Sequence, residues 1–363
     1  MRKTELKINL SNLNHNIDVI QKYTNADIQA VVKANSYGLS ASEVAKTIEN
    51  RVESFSVITL DEALDLRKHT DKPILLLQGI HEQNDYDLIQ NYKLDFVVHS
   101  KWQLENISNF NLKDSRLWLK INTGMNRLGL DLDEFHDTLN TVKGLEIKDI
   151  ILMSHLAASS VKEDKQTKEQ IEIFAQTTKS LKFKKSLANS GAIFNFSEAH
   201  HDIVRPGIAI YGGKYNEFGT KNVSSLSSEI ISIRPVKAGT KVGYDGSWVA
   251  EKDCLIGSIP VGYGDGLPYF TNPVTVKIKG RNFKTTGKAN MDLIMINLEQ
   301  DKTIKIGDTV QIQRAGDVIP QVISVDIKSR NNNSQKFIFP KKCLCGSNTY
   351  KEINKSTKKE DAV

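Results

Sequence analysis

The stretch IQAVVKANSYGLSASEVAKTIEN, residues 28–50, contains the pattern that decides the fold. The apolar run that ends at Val32 is typical of a buried strand, and SASEVAKTIEN predicts a helix with Ser40 or Ser42 as its cap. Lys33 stands between the two, where a lysine is least expected. The stretch therefore predicts a strand followed by a helix, with a candidate functional lysine at their junction.

Seven further apolar runs follow, separated by amphipathic stretches. They are SFSVITL (54–60), PILLLQGI (73–80), LDFVVHS (94–100), RLWLKINTG (116–124), IKDIILMSHL (147–156), KKSLANS (184–190) and IVRPGIAIYG (203–212). Strands that alternate with helices predict a parallel sheet, and eight such units in about 200 residues predict a closed (β/α)8 barrel of the TIM type, an α/β fold. The residues that follow each strand would gather at one rim, where such barrels hold their catalytic groups.

Several of these runs end in reactive or hydrogen-bonding side chains, namely Lys33, His155, Asn189 with Ser190, and Arg205. Each has an ordinary structural interpretation, because a lysine can extend to water and a strand-end His or Ser often satisfies a neighbouring backbone group. Their convergence on one rim favours a functional site. A lysine among partly apolar walls has a lowered pKa, which makes Lys33 a candidate for Schiff-base chemistry.

Composition and charge exclude several classes of protein. The 363 residues are 39% hydrophobic and 25% charged, enough for one large domain and a smaller one. No run of 18 apolar residues occurs and MRKTELKINL (1–10) lacks a signal-peptide core, so we expect a cytoplasmic protein without a membrane partner. The net charge of +6 comes from residues 327–363, with 9 Lys and Arg against 3 Asp and Glu, which leaves 40 of each elsewhere. A nucleic-acid partner is therefore not expected.

The pattern changes beyond residue 222. Segments such as SSEIISIRPVKAGTKVGYDGSW (227–248) combine alternating β-branched residues with Gly-containing turns, which predicts an all-β second domain. We expect the barrel over residues 10–221, the β domain over 222–326, and a basic tail over 327–363 that is too poor in apolar residues to fold alone. Residues 2–9 also alternate and are expected to pair with the β domain.

Eight segments resemble, in order and spacing, the signature segments of bacterial alanine racemase. They are AVVKANSYG (30–38), INTGMNRLG (121–129), MSHLAAS (153–159), LANSGAI (187–193), VRPGIAIYGG (204–213), VGYDGSW (242–248), IPVGYGDGLPY (259–269) and GKANMDLIMI (287–296). The resemblance covers about residues 3–300. It implies a pyridoxal 5'-phosphate (PLP) enzyme, a homodimer with shared active sites, which interconverts L- and D-alanine and supplies D-alanine for cell-wall synthesis.

The resemblance also implies a role for each matching residue. Lys33 carries the cofactor and exchanges the α-proton on the D face, while Tyr244, reaching into the other subunit's site, serves the opposite face. The residues implied in cofactor binding are Tyr37, His155, Ser190, Arg205, Gly207 and Ile208, and those in substrate binding are Arg127, Met291 and Tyr263. Arg205 would hold the pyridine nitrogen unprotonated, because a guanidinium stays charged. Lys120 matches a position that carries a carbamylated lysine in some members.

The C-terminal part departs from this pattern. From about Lys305 the chain is similar to bacterial NAD-dependent DNA ligase, with RAGDVIP (314–320) as the matching motif. Cys343 and Cys345 are only half of a four-cysteine zinc site, so no bound metal is expected. No Lys-x-Asp-Gly nucleotidyl-transfer motif occurs, which argues against a second activity. The alternatives that stay open are a serine or broad-specificity racemase, a non-catalytic PLP-binding protein and a DNA-binding relic of a ligase.

Overall fold

The computed structural model describes residues 2–269 and 273–312, together with the backbone of two short strands, Lys351–Ile353 and Glu360–Ala362. These two strands pair antiparallel within a separate unit of the chain, residues 315–363. The motif RAGDVIP (314–320) and the cysteines Cys343 and Cys345 lie outside the described residues, as does most of the predicted tail.

Eight parallel strands close into a barrel, so the predicted fold class is confirmed. A first strand, β1 (Glu5–Ile8), precedes the barrel strands β2 (Asp27–Val31), β3 (Ser54–Val57), β4 (Ile74–Leu76), β5 (Asp95–Val98), β6 (Arg116–Lys120), β7 (Asp149–Met153), β8 (Lys184–Asn189) and β9 (Ile203–Arg205). Each barrel strand pairs in parallel with the next, and β2 pairs with β9 to complete the circle.

Helices alternate with the barrel strands. They are α1 (Ser11–Gln21), α2 (Lys33–Gly38), α3 (Ala41–Ile48), α4 (Leu60–Arg67), α5 (Asp85–Tyr92), α6 (Leu132–Val142), α7 (Lys165–Thr178) and α8 (Ser190–Asn195). Short 3-10 turns occupy Glu49–Arg51, Lys101–Leu104, Ile107–Asn109, Ser197–Ala199, Asn216–Phe218, Tyr244–Gly246 and Tyr263–Asp265. Ser40 precedes α3 at the cap position, although its hydroxyl forms no capping bond to the helix. None of the helices in the described ranges has both the length and the apolarity that a membrane crossing demands.

Alternate residues of each barrel strand point to two different cores, because side chains alternate along a strand. The outward residues pack beneath the helices in one large apolar cluster. The inward residues form a small cluster inside the barrel, made of Leu75, Val97, Trp118, Ile151, Met153 and Ile203. Each of three floor residues is followed two positions later by a polar residue: Trp118 by Lys120, Met153 by His155, and Ile203 by Arg205. The strand period therefore places these three polar side chains at the carboxyl-terminal mouth, above an apolar floor.

The opposite end of the barrel contains a buried ion network. Arg116 Nε donates to Asp95 Oδ2 (2.7 Å), and a terminal nitrogen of the same guanidinium donates to Glu53 Oε1 (2.6 Å). Burial raises the pKa of Asp95, although Arg116 opposes this effect. Because a buried carboxylate is costly without its partner, Arg116 holds this end of the barrel together.

The second domain is a β sheet with a core of its own. Its strands are β10 (Ser224–Glu229), β11 (Ser232–Val236), β12 (Lys241–Val242), β13 (Trp248–Val249), β14 (Cys254–Ile259), β15 (Thr275–Ile278), β16 (Arg281–Thr286), β17 (Ile294–Asn297) and β18 (Thr309–Ile312). The main sheet has the order β1-β10-β18-β15-β16-β17-β14-β11, and β12 pairs with β13 beside it. Thus β1 at the start of the chain pairs antiparallel with β10 of the second domain, with Leu6 opposite Leu226.

Candidate active site

The segment that follows β2, the short element α2 (Lys33–Gly38), is a left-handed turn rather than a right-handed helix, and the sequence did not predict this conformation. Ala34, Asn35, Ser36 and Tyr37 all have φ between 50° and 57°. This conformation costs roughly 1–2 kcal/mol for each residue other than glycine. The surrounding fold must therefore hold the turn in place, and Lys33 stands at its start.

Side chains on both sides fasten this turn. Asn35 Oδ1 accepts a hydrogen bond from the backbone N–H of Ala41 (2.8 Å), which ties the turn to the start of α3. The Tyr37 ring packs on the Tyr211 ring with centroids 4.8 Å apart. The Tyr211 hydroxyl in turn donates to the carbonyl of Val31 at the end of β2 (3.0 Å). The position of the Tyr37 hydroxyl is thus set by the strand that leads into the turn.

Four cationic side chains act on one another at the mouth: Lys33, Lys120, Arg127 and Arg205. Burial, followed by the charge of Arg127, lowers the pKa of the half-buried Lys33 amine, while Glu62 opposes them. Burial and the charges of Arg127, Arg205 and Lys33 lower the pKa of Lys120 to about 8. Such a concentration of positive charge attracts an anion, and it also leaves a larger share of both lysines neutral at physiological pH.

Arg205 is fixed in the barrel wall by hydrogen bonds. Its side chain is only 3% exposed and donates to Ser186 Oγ and to the carbonyls of Ser154 (2.5 Å) and Leu187 (3.5 Å). Burial lowers the pKa of Arg205 to about 10, so the guanidinium stays charged at neutral pH. Burial and the charge of Arg205 hold the pKa of His155 well below its usual range, so this imidazole is neutral.

Hydroxyl and backbone N–H groups gather where β8 and β9 end. Ser190 Oγ accepts hydrogen bonds from the backbone N–H groups of Gly207 (3.0 Å) and Ala209 (3.2 Å). A Cβ added to Gly207 would stand 2.5 Å from Tyr37 Oη, so glycine allows the tyrosine hydroxyl to approach this backbone. Burial raises the pKa of Tyr37, which keeps its hydroxyl protonated as a donor. The N–H of Ile208 has no hydrogen-bond partner within the described residues, which leaves it available to an anion.

A closed loop after β6 presents Arg127. The side-chain carbonyl of Asn122 accepts from the backbone N–H groups of Gly124 (3.2 Å) and Asn126 (3.1 Å), and its amide group donates to Asp131 Oδ1 (3.1 Å). Asn122 thereby fixes both ends of the loop. The exposed Arg127 guanidinium extends from this loop, and its charge acts on Lys33 and Lys120.

Three of the residues that the sequence predicted for the site lie in the β domain. Tyr244 is 67% exposed, Met291 65% and Tyr263 45%. The backbone N–H of Tyr263 donates to the carbonyl of Asn290 (3.0 Å), which brings Tyr263 next to the segment that carries Met291. We call Tyr244, Tyr263 and Met291 the β-domain cluster. Across residues 2–269 and 273–312, no hydrogen bond, ion pair or ring contact joins this cluster to Lys33.

Fold and site together define a barrel protein whose mouth holds a lysine amine, several cationic side chains, and hydroxyl and backbone N–H groups. The alanine racemase N-terminal domain family matches residues 8–215, and the alanine racemase C-terminal domain family matches residues 223–334. The chain therefore belongs to the alanine racemase family.

Individual relatives agree with this assignment. The alanine racemase of Actinobacillus succinogenes is 37% identical over 321 residues, which cover 85% of this chain and 90% of the relative. A biosynthetic alanine racemase of Escherichia coli O6:H1 is 35% identical over 324 residues, with coverages of 85% and 90%. Among solved structures, the biosynthetic alanine racemase from Pseudomonas aeruginosa has a TM-score of 0.83 at 32% identity, with coverages of 86% and 90%. The Bartonella henselae alanine racemase with covalently bound pyridoxal phosphate has a TM-score of 0.76 at 28% identity, with coverages of 85% and 90%.

The structure also contains site residues that the sequence did not reveal. Tyr211 and Glu62 both contact the left-handed turn, Tyr211 through its ring and Glu62 through a hydrogen bond to the Ala34 N–H (2.7 Å). A signal for Glu62 was present, because Thr59 with Glu62 three residues later is the spacing of a helix capping box. No comparable pattern singles out Tyr211.

Proposed function

We propose that this protein, a PLP-dependent racemase that interconverts L- and D-alanine, uses Lys33 and Tyr244 as two bases on opposite faces of the substrate Cα. The observation that carries the assignment of Lys33 is its half-buried amine, whose pKa burial and Arg127 lower, at the mouth of the barrel. An amine that is neutral more often near pH 7 accepts a proton more readily. The Tyr244 hydroxyl provides the second acid–base group that a two-base racemase needs.

The residues at the mouth fit PLP. When bound, this cofactor supplies an electron-withdrawing ring that acidifies the Cα–H of an amino acid. The hydroxyls of Tyr37 and Ser190 and the N–H of Ile208 are donors of the kind that a phosphate dianion requires, and the N–H of Gly207, which donates to Ser190 Oγ in this structure, would join them on exchanging that bond for the phosphate. Lys33 provides the amine that such a cofactor needs. The match of donors to anion, rather than any single residue, supports the cofactor assignment.

Arg205 and His155 keep fixed charge states beside the cofactor. Arg205 stays protonated because its pKa, although lowered, is about 10. A charged guanidinium presents donors only, so it favours an unprotonated ring nitrogen and return of the proton to Cα. His155 stays neutral and adds no further positive charge to the mouth.

The exposure of the β-domain cluster supports a shared active site. Tyr244 is 67% exposed and Met291 65% exposed in the single chain. Large apolar or aromatic side chains that lie exposed together often belong to a surface that a partner covers. We assign the cluster to the mouth of the partner barrel in a homodimer. Tyr244 then exchanges the proton on the face opposite Lys33, and Tyr263 and Met291 confine the side chain of the substrate.

Arg127 completes the proposed site as the group that binds the substrate carboxylate. The charge of its exposed guanidinium lowers the pKa of the Lys33 amine, so the two groups are within electrostatic range of each other. A carboxylate bound to Arg127 would therefore be held near that amine. A guanidinium binds a carboxylate through two parallel hydrogen bonds, which also orients it. We further propose a cytoplasmic enzyme that supplies D-alanine for the cell wall.

One set of measurements on the purified full chain tests this function. We expect visible absorbance from a lysine-bound cofactor and turnover of L- and D-alanine in both directions. L- and D-serine and a panel of longer amino acids test the specificity, and we expect them to be turned over more slowly because Tyr263 and Met291 are proposed to confine the substrate side chain. A visible band without turnover of any amino acid would instead identify a non-catalytic PLP-binding protein.

A further inference from the structure

The carboxylate of Glu62 connects two neighbouring strand ends of the barrel. Glu62 Oε1 accepts a hydrogen bond from the backbone N–H of Ala34 (2.7 Å), the residue directly after Lys33. Glu62 Oε2 accepts from the backbone N–H of Ile58 (2.8 Å), the residue directly after β3. One side chain thus satisfies two backbone donors that belong to different strand-to-helix connections.

An ordinary role for Glu62 is to cap α4. The Thr59 hydroxyl accepts from the backbone N–H of Glu62 (3.3 Å), as in a capping box. In that motif the glutamate would bind the N–H of the capping residue, Thr59 itself. Here the carboxylate binds Ile58, one residue earlier, and its second oxygen leaves the helix start to reach Ala34. A helix cap alone does not account for this second bond.

The hydrogen bond from Ala34 to Glu62 also stabilises the left-handed turn, a backbone conformation that costs free energy for residues other than glycine. Ala34 is the first of the four left-handed residues of the turn, and its N–H lies next to the carbonyl group of Lys33 in the same peptide plane. A hydrogen bond to that N–H therefore fixes the orientation of the peptide through which the Lys33 side chain is attached. Loss of the bond would free the turn to relax toward right-handed or extended conformations.

We propose that Glu62 is a positioning residue, whose carboxylate clamps the left-handed turn to the end of β3 and so fixes where the Lys33 amine stands at the mouth of the barrel. The inference rests on the proposed role of Lys33. It assigns Glu62 no contact with the substrate or the cofactor.

The charge of Glu62 acts on Lys33 as well. The charged and titratable groups that act on the Lys33 amine, or on which it acts, are Arg127, Glu62, Lys120 and His155. Burial and Arg127 lower the pKa of Lys33, and Glu62 raises it. Removing the carboxylate charge should therefore lower the pKa of Lys33 further, whereas removing a hydroxyl at Thr59 should leave it unchanged.

Three variants separate the clamp, the charge and the helix cap. Glu62→Asp keeps the charge but is one methylene shorter, so a single carboxylate no longer spans the two N–H groups. Glu62→Gln keeps the length but removes the charge and replaces one acceptor with an amide donor. Thr59→Ala is the matched control, because it weakens the start of the same helix and leaves Glu62 in place. Melting temperatures of all three define a common assay temperature at which each is folded.

Two readouts are measured on the full-length chain. In racemisation, Glu62→Asp and Glu62→Gln should lower kcat by about tenfold to a hundredfold with a much smaller change in the KM for alanine, because a misplaced base slows the chemical step. Thr59→Ala should stay close to wild type. In the second readout, reductive methylation of the cofactor-free chain at a series of pH values, with mapping of the Lys33 peptide, should give a lower midpoint for Glu62→Gln only.

The outcomes are distinct. A loss of kcat in Thr59→Ala equal to that in Glu62→Asp would overturn the proposal, since only the helix start would then matter. Wild-type kcat in Glu62→Asp, or failure of both Glu62 variants to fold, would overturn it too. If Lys33→Ala kept a borohydride-reducible cofactor adduct at the same site, the proposed function of Lys33 would fail instead. The methylation profile would still report whether Glu62 controls the Lys33 amine.

Discussion

Replacement of Gly207 by alanine tests the donor set that we propose for the cofactor phosphate. The backbone of Gly207 is not left-handed, so alanine can adopt its conformation without strain. The new Cβ would stand 2.5 Å from Tyr37 Oη, whereas ordinary contacts begin at 3.4 Å. The hydroxyl must therefore move by about 0.9 Å, which is enough to break or badly misalign a hydrogen bond to phosphate.

The expected loss follows from the energy of one such bond. Hydrogen bonds to charged groups contribute about 1.5–3 kcal/mol, which corresponds to cofactor binding that is about tenfold to a hundredfold weaker. Titration of the cofactor-free full chain with PLP, followed by absorbance, measures this change. Gly144→Ala is the control, because the nearest atom to its new Cβ, the carbonyl oxygen of Thr141, is 3.5 Å away.

A double-mutant cycle with Tyr37→Phe identifies the cause. Phenylalanine lacks the hydroxyl that the new Cβ meets, and the ring carbon Cζ is 3.5 Å from that Cβ, an ordinary contact. Gly207→Ala should therefore weaken PLP binding strongly in the wild type and only slightly in the Tyr37→Phe background. If Gly207→Ala caused the same loss in both backgrounds, the effect would not pass through the Tyr37 hydroxyl and the assignment of this donor set would be wrong.

Three further predictions test other parts of the molecule. Lys33→Ala should abolish racemisation and the visible absorbance of the lysine-bound cofactor, and a retained borohydride-reducible adduct at this site would refute its role. Tyr244→Phe should slow α-proton removal from L-alanine far more than from D-alanine, by about 10²–10⁴-fold. Mixing it with Lys33→Ala should restore activity in hybrid dimers, and no recovery after demonstrated subunit exchange would exclude a shared site. Arg116→Met should lower the free energy of unfolding by about 3–5 kcal/mol in urea titrations, because it removes the counter-ion of the buried Asp95 carboxylate and leaves, within the described residues, only the backbone N–H of residue 116 as its donor. The loss should shrink as the pH falls and the raised pKa of Asp95 allows its carboxyl to become neutral; addition of Asp95→Asn should recover part of it, and a double variant no more stable than Arg116→Met would contradict this reasoning.

The barrel and its rim could be predicted from the sequence because both follow from local patterns. Apolar runs of strand length alternate with helical stretches, and the two-residue period of a strand continues beyond the apolar floor to Lys120, His155 and Arg205. The fold class was therefore predictable from spacing alone. The roles of these residues required a resemblance to a known family, since spacing does not distinguish a catalytic side chain from a structural one.

The left-handed turn and the β-domain cluster could not be derived in this way. Ala34, Asn35, Ser36 and Tyr37 include no glycine, and their intrinsic preferences argue against φ above zero for most of them. The conformation is imposed by contacts from distant parts of the chain. The place of Tyr244 is harder still, because its side chain is 67% exposed in a single chain and its proposed surroundings belong to a second copy.

The charges at the mouth couple the protonation of its side chains to the binding of anions. Lys33, Lys120 and His155 all have pKa values lowered by burial and by one another or by the neighbouring arginines, so the folded mouth resists protonation. A phosphate dianion and a carboxylate bound there would each counter this repulsion and raise all three pKa values. By linkage, binding of either anion must then favour the protonated forms, and protonation must favour binding of either anion to the same degree. Lys33, which we propose accepts a proton in the reaction, would therefore be tuned by the ligands it serves, while Glu62 supplies a charge within the described residues that raises its pKa.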